Sequence, residues 1–180
     1  MPTNAASLRA TAEAMARAGA AAAVVLVEGI TDRIALETAA RVRGRDLGGE
    51  GVVVVPIGGA HAIGRTLAEL GRTPVAGLCD RREAGMFRDQ VTTVVCDRDL
   101  EEELIRAAGL DAVAAIFAAE GDLRSFRSFQ KQPAWRGQEL PAQMYRFIRS
   151  SSRRNLRYAR LLTERAVPPP LDEILKRLMD

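Results

Sequence analysis

The sequence predicts an α/β fold: a mostly parallel four-stranded sheet flanked by helices, followed by a C-terminal helical extension. Three observations carry this expectation. Four short apolar runs rich in Val, at 24–27, 52–57, 75–79 and 91–96, each stop at Glu28, Gly58, Asp80 or Asp97, as buried strands do. Segments with helical spacing alternate with them, the order that builds parallel sheets with helices on their faces. Beyond residue 109 the strand pattern ceases and helical periodicity takes over.

Residues 4–20 read as a helix capped by Thr3 or Asn4, rich in Ala, with Leu8, Ala12 and Met15 as a thin apolar stripe. After the first strand, 24–27, a helix from about Asp32 to Val42 turns Ile34, Leu36, Ala39 and Ala40 inward, and Gly44, Gly48, Gly49 and Gly51 break it. The second strand closes at Gly58-Gly59, a turn that either needs small residues or offers backbone N–H groups to a phosphate. The helix 60–70 follows, amphipathic through Ile63, Leu67 and Leu70, with His61, the chain's single histidine, in its first turn. The third strand ends at Asp80 and the fourth at Asp97, after which Asp99 can cap a helix over 100–108. Helices are then expected at 110–119, 142–149, 156–165 and 171–179, punctuated by Gly121, the stretch Pro133–Pro141 and Pro168-Pro169-Pro170. Residues 1–109 form the α/β domain on this reading, and 110–180 a basic helical extension packed on it.

No apolar run is long enough to span a membrane, and the Ala-rich start is interrupted by Arg and Glu, unlike a signal peptide. Cys79 and Cys96 end apolar runs without metal-ligand spacing, as buried reduced thiols of a cytoplasmic protein would. The net charge of +3 hides an asymmetry. Between Arg124 and Arg165 eleven Lys/Arg stand against Glu139 and Glu164, a local +9 that leaves −6 for the rest. That basic segment also holds six of the eight aromatics, a composition suited to polyanion binding. Phe126, Phe147 and Tyr158 are expected inside, and Trp135, beside Arg136 in a Pro-flanked loop, at the surface.

The acids fall in a pattern. Glu28 and Asp32 follow the first strand, Asp80 and Glu83 the third, and Asp97, Asp99 and Glu101 the fourth. In a parallel sheet these strand ends share the edge where α/β proteins place their ligands. Carboxylates gathered there are costly together unless a cation neutralises them. Oxygen ligands without a His or Cys cluster suit Mg²⁺ or Mn²⁺, ions that serve phosphodiester cleavage.

V-L-V-E-G-I-T-D, from Val25 to Asp32, resembles the first motif of the Toprim domain of primases, topoisomerases and small nucleases. The order Glu28, V-V-V-V-P-I-G-G, L-C-D and D-L-E is similar to the Toprim portion of OLD-family nucleases, over roughly residues 20–109. The resemblance implies a Rossmann-like Toprim fold, Glu28 as the acid/base group, and Glu28, Asp32, Asp80, Glu83, Asp99 and Glu101 as the metal-binding acids. It also exposes departures. Arg82 stands where the family's Asp-x-Asp has its second aspartate, with Glu83 one residue on as the replacement ligand or Arg82 itself as a fixed cation. Asn155 stands where the family has a lysine that assists at the phosphate, leaving Arg154 as the nearest catalytic replacement and Lys131 as another contributor. The family's ATPase precedes its Toprim unit, and this sequence has no G-x-x-x-x-G-K-[ST] loop.

The expected function is therefore a Mg²⁺- or Mn²⁺-dependent endonuclease acting on DNA, with RNA as the other polyanion open to it. Lys131, Arg136, Arg153, Arg154 and Arg157 are the cations expected to meet the nucleic acid. A separate ATPase is an expected partner, and a homodimer would bring the two sites that a double-strand cut needs. The alternative is a catalytically weakened Toprim module that binds nucleic acid or a partner ATPase without cleavage.

Overall fold

The computed structural model describes residues 5–178. The expected caps Thr3 and Asn4, and Met179 at the end of the last helix, lie outside them. Four parallel strands, β1 (Ala23–Val27), β2 (Val52–Pro56), β3 (Val75–Cys79) and β4 (Thr92–Val95), form one sheet in the order β2-β1-β3-β4. Pro56 is tolerated because β2 is an edge strand, where a missing N–H can face away from the ladder. Register decides where the acids go. Val27 pairs with both Pro56 and Leu78, and Cys79 pairs with Val95, so all four strands finish at one level. Glu28, Asp80 and the segment after β4 therefore emerge on one edge.

Helices cover both faces, because strands this apolar must be buried on each side. On one face α1 (Ala5–Ala18), α3 (Ile63–Leu70) and the short α4 (Ala84–Arg88) enclose Val24, Leu26, Val55, Ile57 and Phe87. The hydroxyl of Thr11 on α1 donates to the carbonyl of Pro56 at 2.6 Å, pinning that helix to β2. On the other face α2 (Ile30–Val42), α5 (Leu100–Ala108) and α10 (Pro169–Arg177) pack on Val25, Val27, Leu78 and Val94. Outside these lie α6 (Leu110–Ala119), α7 (Leu123–Gln130), α8 (Leu140–Arg149) and α9 (Ser152–Arg165), with α9 running along α2.

The helical layer has its own aromatic centre. Phe117 meets Phe126, Phe147 and Tyr158 edge-on at centroid separations of 5.0, 5.2 and 5.1 Å. Such pairs add about 0.5–1.5 kcal/mol each beyond area burial. Phe126, Phe147 and Tyr158 are buried as expected. Trp135 is half-buried and stacks on Phe129 at 5.3 Å, so it is less of a surface residue than its loop implied.

Two helices escaped the sequence. Segment 84–88 is too short to show a period, and α7 has arginines between Leu123, Phe126 and Phe129, its inward positions. Three others begin earlier than expected: α9 at Ser152, capped by Ser151, and the proline-bearing pair, α8 at Leu140 and α10 at Pro169. Their prolines sit in the first helical turn, where an N–H has no intrahelical partner to lose. Proline at these two positions opens a helix as well as separating it from the one before.

Candidate active site

At the shared strand edge a cavity of about 320 Å³ is lined by Glu28, Thr31, Asp32, Asp80, Asp99, Glu101, Arg149 and Asn155, with Cys79 and Cys96 in its floor. Its acids come from three strand ends, as the sequence pattern anticipated. Glu28, Asp32, Asp80 and Asp99 are each held by a nearby backbone N–H, and Glu101 by side chains.

Glu28 is fixed at both ends. Its carbonyl accepts the N–H groups of Gly58 (2.9 Å) and Gly59 (3.2 Å), and its Oε1 accepts the N–H of Asp80 (2.5 Å). The Gly58-Gly59 turn thus directs its amides at Glu28, and they are not open to a phosphate. Both glycines have positive φ, 75° and 113°, which explains their place at this turn. Asp32 lies in the first turn of α2, where its Oδ2 accepts the N–H of Gly29 at 2.8 Å. That bond extends the helix N-terminally to Ile30. Asp80 Oδ1 accepts the N–H of Glu83 (3.0 Å), and Glu83 Oε2 accepts the N–H of Ala60 (3.0 Å).

Burial and crowding set the protonation of these acids. Burial pushes the Glu28 carboxyl up to about 8, against the stabilising Asp80 N–H and with help from Asp32, Glu83 and Asp80. Burial likewise pushes Asp32 up to about 7, the charge of Glu101 adding to it. Glu83 is raised by burial too, while the Ala60 N–H opposes the shift. The two thiols are raised, Cys79 to about 12, so neither is a thiolate at neutral pH.

The remaining wall comes from the helical layer. Asp99 caps α5 through Oδ1, which accepts the N–H of Glu102 at 3.0 Å. Its Oδ2 accepts the Tyr145 hydroxyl (2.5 Å) and an Arg149 N–H (3.1 Å). Both oxygens of Asp99 are engaged by protein donors, so it ties α8 to the start of α5 at the cavity wall. Asn155 Nδ2 donates to Thr31 Oγ1 (3.2 Å) and Glu101 Oε1 (3.0 Å), tying α9 to the starts of α2 and α5. Its Oδ1 is buried without a partner.

Arginine is where the structure corrects the sequence most. Arg154 does not line the cavity. Its guanidinium lies 3.9 Å from the Phe147 ring centre and donates to the Phe147 carbonyl (3.1 Å) and Ser150 (2.9 Å), with Asp122 at 3.5 Å. Arg157 is held by Asp122 and Glu120. Asp122, at the start of α7, pairs with both side chains, which do not line the cavity. The cation at the cavity is Arg149, 3.1 Å from Asp99 and 3.8 Å from Glu101. Nothing in the sequence marked it, although Tyr145 and Arg149 stand one helical turn apart and meet there at 2.5 Å. Lys131, Arg136 and Arg153 are exposed. Arg82 is exposed as well and does not line the cavity, which removes support for its acting as a fixed cation there.

Among the described residues no three His, Cys, Asp or Glu side chains form a ready metal cluster. The donor chemistry nevertheless fits a hard cation: Glu28, Asp32 and Asp80 face one cavity, their donors are oxygens, and two of them are pushed toward neutrality by burial. Mg²⁺ keeps several waters and takes only one or two carboxylates, so an open site of this kind suits it.

Residues 21–81 match the family model described as "Overcoming lysogenization defect protein-like, TOPRIM domain". The fold is similar to the C-terminal region of the Burkholderia pseudomallei OLD protein, with a TM-score of 0.62 and 18% identity over 89% of this chain and 98% of that one. It is also similar to the C-terminal region of the Xanthomonas campestris pv. campestris OLD protein, with a TM-score of 0.61 and 20% identity over 88% and 94% of the two chains. The search of curated proteins gives no match.

Proposed function

We propose that this chain, whose residues 21–81 match an OLD-like Toprim domain, is a divalent-cation-dependent nuclease that cleaves DNA phosphodiester bonds in the acid cavity. The observation that carries this reading is the convergence of Glu28, Asp32 and Asp80 on one cavity, where the half-buried Glu28 and Asp32 are raised to about 8 and about 7. Acids crowded in this way are stabilised by protons or by a cation. Glu28, Asp32 and Asp80 would hold Mg²⁺ or Mn²⁺, with Glu83 and Glu101 beside them. Such an ion, when bound, supplies charge stabilisation at a phosphoryl oxygen and a more acidic water.

The chain's own residues supply the rest. Glu28, titrating near neutral pH, is suited to accept a proton at Oε2, the oxygen not engaged by Asp80, and to return it. Arg149 holds a non-bridging phosphate oxygen at the rim, in place of the Arg154 that the sequence offered. Asn155 orients Glu101. Lys131, Arg136 and Arg153 take the flanking backbone through charge. Two copies in a homodimer would cut both strands, and a separate ATPase would be the partner that supplies nucleotide hydrolysis.

Supercoiled plasmid incubated with Mn²⁺ tests the reading. The wild type should nick it, and Glu28→Gln should be slower by about a hundredfold or more. Equal cleavage by the two proteins, or none by the wild type with any of several divalent cations, overturns it.

A further inference from the structure

A second cavity of about 470 Å³ opens beside the acid cavity, between the C-terminal part of α5 and the start of α8. Ile105, Leu110, Pro141 and Ala142 make its walls apolar, and Tyr145 is the partition between the two cavities. The Tyr145 hydroxyl bonds Asp99 on the acid side, while its ring faces the groove beneath the Arg98 guanidinium, 4.4 Å from the ring centre. Arg98 is exposed, and among the described residues its guanidinium makes no hydrogen bond or ion pair beyond this ring contact. The groove rim also carries Glu102, Glu139 and Arg106, the last already paired with Asp97, Glu102 and Glu103. Two carboxylates make a poor seat for a phosphate but good acceptors for exocyclic amino groups of bases. An apolar slot with a tyrosine and a loosely held guanidinium is the combination on which unpaired bases stack.

We infer that this groove is a subsite for one unpaired nucleobase of a DNA strand whose neighbouring phosphate enters the acid cavity past Arg149. The inference rests on the nuclease reading for the phosphate's position and goes beyond it in substrate class. It selects DNA with a flap, bulge or single-stranded end over a continuous duplex, because a paired base cannot leave its stack without cost.

The test is a duplex carrying one bulged 2-aminopurine against the same duplex with that base paired, titrated into the full chain in Ca²⁺ and checked on a gel for integrity. The bulged probe should bind at least about fivefold more tightly, the low end for one stacked base, with its fluorescence quenched. Ala142→Phe, which fills the groove, should erase that preference. Arg98→Ala, at an exposed position, should weaken it and serves as the second variant if the first fails to fold. Equal affinity for the two probes, or a preference untouched by either folded variant, overturns the subsite. If the preference is present and sensitive to the variants while no metal supports cleavage, the base subsite stands and the nuclease reading falls.

Discussion

Glu28 Oε1 and the Asp80 N–H meet at 2.5 Å, joining the tips of the neighbouring strands β1 and β3. The bond sets the spacing of the first two acids before any ligand arrives, and it lowers the cost of ionising Glu28 without abolishing it. The acid cavity is therefore built on rigid strand ends, and its charge is the quantity most open to experiment.

Stability should depend on pH in a direction that the raised carboxyls fix. Glu28 and Asp32 titrate at about 8 and about 7 in the folded chain, against roughly 4 when unfolded. The folded state then binds more protons, so their contribution is fully present below about pH 4 and is lost as pH rises through about 8. In EDTA the melting temperature should fall from pH 5 to pH 8 more steeply for the wild type than for Asp32→Asn. Added Mn²⁺ should flatten the wild-type curve. Parallel curves for the two proteins would contradict the assignment.

Arg149→Ala and Arg154→Ala should separate chemistry from structure. Losing Arg149 should slow cleavage by about 10²-fold with little change in melting, as for removal of one charge-stabilising donor. Losing Arg154 should cost about 1–3 kcal/mol of stability, because it holds Asp122 and covers Phe147. Plasmid nicking and urea titrations on both variants check the contrast, which a reversed pattern would refute.

Gly77→Ala should destabilise the sheet beneath the site. A Cβ there would lie 2.7 Å from Cδ1 of the fully buried Phe87 and 3.1 Å from Val91. Overpacking of this kind costs about 1–3 kcal/mol, measurable as a lower urea midpoint with an unchanged m-value. An unaltered midpoint would mean that Phe87 can move.

Charge neutralisation should sort the basic segment. Replacing Lys131, Arg136 or Arg153 by Gln should each reduce the slope of log affinity against log salt by about one if that residue meets a phosphate. Replacing Arg157, held by Asp122 and Glu120, should leave the slope alone and lower stability. Fluorescence anisotropy across a salt series reads both outcomes.

The strands were legible because runs such as Val52–Val55 have no other stable use in a chain this short, and their parallel order followed from the helices between them. The acids at 28, 32 and 80 were legible because strand ends and charge coincide. Arg149 was not: sequence gives proximity along a helix, and its aim at Asp99 depends on how α8 is rotated against α5. Arg154 misled for the same reason, since Asp122, thirty-two positions earlier, captures it. Even Asp99 was half legible, its helix-capping role visible and its capture by Tyr145 hidden in tertiary packing.

Asn155 crosses from α9 to Thr31 and Glu101, so one residue late in the chain reads the positions of two helix starts that follow different strands. Removing that one amide would release α9 from both helix starts at once, so the wall of the acid cavity is stapled at a single point.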